Sequence, residues 1–356
     1  MKSYMVKRYE SLDAYVPGEQ PHDLDYVKLN TNESPFPPSP KVAEILRSCE
    51  AESLKLYPDP EGKELRDAIA LRFGVKRENV LLGNGSDEIL AFAFFAFCAE
   101  ERCVFPDISY GFYKVFAELV GAKYTQMPLK NDFSIDVGDY INAGATVVIA
   151  NPNAPTGLAL TLDEIERIVK SNPDNVVVID EAYVDFGAES AVELTKKYEN
   201  LVVVQTYSKS RSLAGARLGF AVASSGVIDD MNKIKYSLNP YNINRLTLKI
   251  GKASIEDEEY FLMTSSKIVE NRRYTTDELR RRGFDVLDSK TNFVFAKTDA
   301  VSGEKLYTEL KRRGVLVRHF AADRIKDYVR ITIGTREQTD LMLAKTDEIL
   351  KEAKNG

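Results

Sequence analysis

Lys209 stands in the polar loop of "TYSKSRSLAGARLGF" (206–220), directly after the apolar run 201–204 and eight residues before Arg217. A lysine is ordinarily a solvated surface charge. At the carboxyl end of a buried strand it lies instead in the crevice where open α/β sheets place ligands, and there a partly desolvated amine becomes a nucleophile. "DEAYVDF" (180–186) ends a second apolar run. An aspartate there is costly to bury without a cation, so Asp180 predicts a buried positive partner, and Tyr183 is placed to face the same crevice. Asp180 and Lys209 are 29 residues apart, one strand–helix–strand crossover, which brings both to one mouth. "GNGSDE" (83–88) runs into the apolar segment from Ile89. Its glycines let backbone approach a ligand, Ser86 or Asp87 can cap, and the N–H groups of the first turn attract an anion. "NPNAPTG" (151–157) specifies a rigid turn whose amide side chain can donate to an anionic oxygen.

A nucleophilic amine, a buried carboxylate, hydroxyls, a helix start suited to phosphate and an arginine are together the needs of pyridoxal 5'-phosphate. Its aldehyde takes the lysine, its ring nitrogen the aspartate and its phosphate the glycine loop.

The elements that must carry these loops are the runs 80–82, 146–151, 176–180, 201–206 and 218–223. Continuous apolar strands are buried on both faces, which predicts a mostly parallel central sheet covered by helices. Residues 161–171 read as one such helix, with Thr161 as cap and Glu164 at the capping-box offset. From about residue 255 the texture turns to charged helices and shorter strands at 292–298, 315–320 and 328–335, closed by a helix over 337–354. In "YVRITIGT", Val329, Ile331 and Ile333 share one face, leaving Tyr328, Arg330 and Thr332 on the other. Arg330 can therefore leave the core, and Arg318 in "VLVRHF" lies on a segment able to reach the same place. The predicted fold is α/β, with an arm over 1–40 joining the small domain, a large cofactor-binding domain over 41–254 and a smaller α/β domain over 255–356.

At 356 residues and 44% hydrophobic composition the chain can bury a large core. A formal net charge of -6 argues against nucleic-acid or membrane-surface binding, which needs a basic face. Cys49, Cys98 and Cys103 are odd in number and without ligand spacing, and His22 and His319 are the only histidines, so neither a disulfide scaffold nor a zinc site is expected. "MKSYMVKRYE" has no apolar segment of a secretory signal, and the run 89–99 is too short to span a bilayer; a cytoplasmic location is expected.

The order "GNGSDE", "NPNAPTG", "DEAY", "SK" with Arg217, and "YVRITIGT" resembles the fold-type I pyridoxal-phosphate aminotransferases of classes I and II, over essentially the whole chain. The resemblance implies that Lys209 carries the cofactor, Asp180 meets its ring nitrogen and Tyr183 its phenolic oxygen. Gly85, Ser86, Asp87, Thr206, Ser208 and Arg217 would line its phosphate. Tyr57 in "LYPDP" matches a tyrosine that reaches the phosphate from a neighbouring subunit, implying a homodimer with shared sites. In this Trp-free chain Tyr110 stands where some relatives stack a tryptophan on the ring. One position departs: the family's cofactor-contacting asparagine is Ala154 here, leaving that role to Asn153 or to a water.

"AYVPGEQP" (14–21), "KLNTNESPFPPSP" (28–40), "YPDPEG" (57–62) and "NPYNINRLT" (239–247) are similar to the branch that transaminates L-histidinol phosphate with 2-oxoglutarate. That branch implies Tyr15, Asn32, Arg318 and Arg330 as substrate residues. Three other readings share the motifs: an aromatic or aspartate-type aminotransferase, a decarboxylase of O-phosphoamino acids, and a regulatory ligand-binding module. The decarboxylase would form its amine product without a keto acid, and the regulatory module normally adds a DNA-binding domain.

Overall fold

The computed structural model describes residues 4–10, 12–21, 25–49 and 51–355; His22 lies outside them. The strands in chain order are β1 (Val27–Lys28), β2 (Val80–Gly83), β3 (Arg102–Pro106), β4 (Lys123–Met127), β5 (Thr146–Ala150), β6 (Val177–Asp180), β7 (Leu201–Thr206), β8 (Gly219–Ala223), β9 (Asp285–Val286), β10 (Phe293–Lys297), β11 (Val315–Leu316), β12 (Arg318–His319) and β13 (Val329–Thr332). A seven-stranded sheet has the order β2-β8-β7-β6-β5-β3-β4. All its pairings are parallel except the two made by β8.

Alternation explains the unbroken apolar runs. Ile179, Leu201 and Val203 pack into one core layer, while Val178, Val202 and Val204 pack into another on the opposite face. Both faces are covered by helices, so no position on these strands is left for a polar residue until the strand ends. The helix Leu162–Ser171 starts as expected: Thr161 accepts from the Glu164 N–H, and the Glu164 carboxylate accepts from the Thr161 N–H at 2.8 Å.

A four-stranded antiparallel sheet, β12-β13-β10-β9, lies over a separate core that includes Val294, Val329, Ile331 and Ile333. The apolar pattern of "VLVRHF" predicts one strand, and the structure divides it in two. β11 pairs in parallel with β1 of the N-terminal segment, and β12 then turns to pair with β13. The run serves two sheets, which a reading of apolar pattern alone does not distinguish. The helix expected over 337–354 spans Arg336–Asn355. Among the described residues no helix is long and apolar enough to cross a membrane.

Candidate active site

Register brings the chemistry to one sheet edge. Ala150, Asp180 and Val204 are lateral neighbours at the carboxyl ends of β5, β6 and β7. Because β8 runs the other way, its first residue Gly219 joins the same edge, beside Thr206 on one side and Gly83 on the other. A Cβ on Gly219 would lie 2.6 Å from the Gly85 carbonyl carbon and the Ser86 nitrogen, so only glycine lets the loop settle onto β8. Gly85 has φ +80°, and a side chain there would meet the Arg217 guanidinium.

The helix Gly85–Phe97 begins four residues earlier than the apolar pattern suggests. Ser86 and Asp87 therefore lie within its first turn rather than capping it. The preceding residue, Asn84, gives its N–H to the Glu88 carboxylate at 2.6 Å. Asp87 accepts from Tyr110 Oη at 2.7 Å and from Arg217 Nη2 at 3.0 Å, which fixes both over the helix start. Thr206 and Ser208 hydroxyls, 3.0 Å apart, complete this wall.

Two adjoining cavities share Thr31, Tyr110, Ala154, Tyr183 and Lys209. The inner one, about 370 Å³, is lined by Ser86, Asp87, Asp180, Thr206, Ser208 and Arg217 as well. The outer one, about 490 Å³, adds Tyr15, Asn32, Arg318, Phe320 and Arg330. Both volumes suit small molecules. Lys209 is the only lysine among the described residues lining either; its Nζ is 3.3 Å from the Thr31 carbonyl oxygen and 5.7 Å from the centre of the Tyr183 ring.

Asp180 is buried, and burial pushes its carboxyl up to about 6, opposed first by a hydrogen bond from Tyr113. No lysine or arginine hydrogen-bonds to it among the described residues; its donors are Tyr113 Oη at 2.8 Å and the Ala182 N–H at 3.2 Å. The cationic partner that its burial predicts is thus not supplied by a neighbouring side chain, and a protonated ring nitrogen in the inner cavity fits that need. Tyr183 Oη accepts from Asn32 Nδ2 at 2.9 Å, and Asn32 is itself held by Thr332 and Asn292 at the small sheet.

Arg318 and Arg330 are register partners on β12 and β13 and open into the same outer cavity. Arg330 Nη2 donates to the Asn30 carbonyl oxygen at 2.9 Å, its Nε is buried without a partner, and burial lowers its pKa, with Tyr183 and Tyr15 opposing. Tyr15 stacks on Phe112 with centroids 4.2 Å apart. Burial raises the Tyr15 hydroxyl, with both arginines pulling it back.

Two expectations need correction or qualification. Asn153 does not line either cavity: its Nδ2 donates to the Ile108 carbonyl and Thr156 Oγ1, and its Oδ1 accepts from Ser109 Oγ. The turn spends that side chain on its own rigidity, so Asn153 does not stand in for the family's asparagine. The position of that asparagine, Ala154, does line the cleft, with a methyl group that offers no hydrogen bond. Tyr57 is exposed and absent from its own chain's cleft, stacked on Tyr241 at 4.5 Å. Sequence reasoning missed Tyr113, Thr31 and Glu33. The last two sit in "NTNES" without an acid–base pattern, and Tyr113 follows Tyr110 at one helical turn, which reads as packing.

Residues 25–345 match the family Aminotransferase class I and II. The chain belongs to this family. A histidinol-phosphate aminotransferase of Brachyspira hyodysenteriae is 50% identical to this aminotransferase over 353 residues, covering 99% of the chain and 100% of the relative. Histidinol-phosphate aminotransferase 2 of Rhizobium meliloti is 49% identical over 341 residues, covering 96% and 97%. The crystal structure of a histidinol-phosphate aminotransferase from Sinorhizobium meliloti in complex with pyridoxal-5'-phosphate superposes with a TM-score of 0.84 at 24% identity, covering 91% of each chain, and shows the same fold.

Proposed function

We propose that this aminotransferase uses pyridoxal 5'-phosphate to transfer the amino group of L-histidinol phosphate to 2-oxoglutarate, giving imidazole-acetol phosphate and glutamate, a step of histidine biosynthesis. The observation that carries the substrate is the pair Arg318–Arg330, side by side in register, without a carboxylate bonded to either among the described residues, at the mouth that holds Lys209. Two guanidiniums suit a pocket that must take a dianionic phosphate monoester in one half-reaction and a dicarboxylate in the other. The names of the relatives support the same donor.

When bound, pyridoxal phosphate supplies an aldehyde that captures an amine and a ring that draws off the electron pair left on the substrate carbon. Lys209 would hold the aldehyde, and its amine would serve as the general base and acid for the proton on the substrate carbon. Asp180 keeps the ring nitrogen protonated, and Tyr183 donates to the phenolic oxygen. The Gly85–Asp87 backbone, Thr206, Ser208 and Arg217 would bind the phosphate, and Tyr110 would offer its face to the ring. Tyr15, Asn32 and Arg318 hold the phosphate end of the donor, while Arg330 grips that phosphate or the α-carboxylate of glutamate. A reaction between free metabolites of this kind belongs in the cytoplasm.

A panel of amino donors with 2-oxoglutarate tests the reading: kcat/KM for histidinol phosphate should exceed that for histidinol, phenylalanine and aspartate by a wide margin. Equal activity on phenylalanine would make it a broad aromatic aminotransferase, and amine release without keto acid would make it a decarboxylase. Arg318→Ala removes one charge-assisted contact of about 2 kcal/mol, roughly thirtyfold in kcat/KM. The loss should fall on histidinol phosphate more than on glutamate; an equal loss on both would place Arg318 outside phosphate recognition.

The active form in this proposal is a homodimer. Leu54, Leu56, Tyr57, Leu238 and Tyr241 are exposed large apolar residues, and Arg245 Nη2 donates to the Tyr57 carbonyl oxygen at 2.7 Å, tying the Tyr57 loop to the helix Arg245–Ile255. An apolar face of this kind is covered by a second copy of the chain. Tyr57→Phe and Lys209→Ala chains, each impaired alone, should complement when mixed, because one site of the hybrid has Lys209 from one chain and Tyr57 from the other. A fully active monomer in sedimentation would overturn the shared site.

A further inference from the structure

A buried carboxylate that has to stay ionised needs donors fixed around it, since desolvation favours the protonated acid. Asp180 draws one donor from its own loop, the Ala182 N–H, and the other from a separate element. That element is the helix Phe112–Val120, whose Tyr113 is wholly buried. The Tyr113 ring is clamped edge-on by Phe105 at 5.9 Å and by Tyr110 at 5.7 Å, and stacked by Phe94 at 6.4 Å. Burial and the neighbouring Asp180 hold its hydroxyl proton far more tightly than usual, so the hydrogen bond runs one way, from tyrosine to carboxylate.

We propose that Tyr113 is a positioning residue for transamination, holding the Asp180 carboxylate ionised and oriented toward the ring nitrogen of pyridoxal phosphate. This rests on Asp180 being the partner of that nitrogen. Four influences meet at Asp180 besides burial: Tyr113 and the Ala182 N–H favour the carboxylate, Lys209 from the loop after β7 does so at longer range, and Asp87 from the helix Gly85–Phe97 opposes them. Tyr113 is the strongest of those that lower the pKa. Without its hydroxyl the acid is harder to ionise. On acidification, the apoprotein then loses its grip on the cofactor at a higher pH than the parent does.

Tyr113→Phe keeps the ring and its packing. The dissociation constant of pyridoxal phosphate from the apoprotein is measured by absorbance titration from about pH 5 to about pH 8. The variants are Tyr113→Phe, Asp180→Ala and the double variant, and the ¹⁵N shift of the bound ring nitrogen reports its protonation. Loss of a hydrogen bond to a charged group weakens binding by about ten- to a hundredfold. Tyr113→Phe should do so at neutral pH, shift the acid limb upward and move the nitrogen shift toward the unprotonated value. The effect should vanish in the Asp180→Ala background, as expected for a residue that acts only through Asp180. An equal effect in both backgrounds would make Tyr113 merely structural and overturn the proposal, as would an unchanged pH dependence. Failure of the underlying reading looks different: Asp180→Ala would itself bind cofactor like the parent, with the ring nitrogen still protonated.

Discussion

Lys209→Ala is expected to bind pyridoxal phosphate and yet fail in both half-reactions, a loss on the order of a thousandfold or more, because covalent capture and proton transfer disappear together. The geometry leaves no substitute. Lys209 is the only lysine among the described residues lining the cleft, and the delocalised guanidiniums of Arg217, Arg318 and Arg330 are not amines that capture an aldehyde. The fold should survive, since the side chain is only half-buried and among the described residues makes a single hydrogen bond, 3.3 Å to the Thr31 carbonyl oxygen. Borohydride reduction of the parent holoenzyme, followed by peptide mapping, checks the premise directly. A label on any other lysine would remove Lys209 from the mechanism.

Asp180→Ala should lower kcat by on the order of a hundredfold or more, because the charge that keeps the ring nitrogen protonated is lost at a buried position. None of the nearby carboxylates can replace it: Glu33, on the same cavity, already accepts from Lys28 and Thr31. Asp87 is held by Tyr110 and Arg217, and Glu181 points away, accepting from Ser190 Oγ, the Ala191 N–H and Gln205 Nε2. Asp180→Glu keeps the charge but displaces it by one methylene and should lose less. Near-normal turnover by Asp180→Ala, measured as single-turnover rates with histidinol phosphate, would end the role assigned to Asp180.

The strands that end in the cleft were legible because burial on both faces forces β5, β6 and β7 into runs of Val, Ile and Leu. The polar residue closing each run then announces the site. Asp180 and Lys209 were singled out that way; the structure places both on the inner cavity, with β6 and β7 adjacent and parallel. The strands β3 and β4 went unread. β4, at the sheet edge, has a mixed "KYTQM" with exposed positions, and "RCVFP" begins with a charge and ends on a proline. Alternation in "YVRITIGT" placed Arg330 correctly on the face away from Val329 and Ile331. The pairing of Arg318 with Arg330 and the bond from Tyr113 to Asp180 depend on tertiary register, which no local pattern encodes. Asn153 failed for a related reason: a turn this tight consumes its own amide.

The two-residue strand β1 pairs with β11, residues near opposite ends of the chain, and the same N-terminal segment brings Asn30, Thr31 and Asn32 against Arg330, Lys209 and Tyr183. During synthesis the seven-stranded sheet, complete by Ala223, can assemble around the lysine and the helix start long before residues 315–332 emerge. The outer wall must wait for them, since its closure spans almost the full length of the polypeptide and bears the corresponding loop entropy. A nascent chain can therefore own a pocket for the cofactor before it owns one for the substrate, and ligand capture by the early half can bias the arm toward its docking place rather than into the solvent.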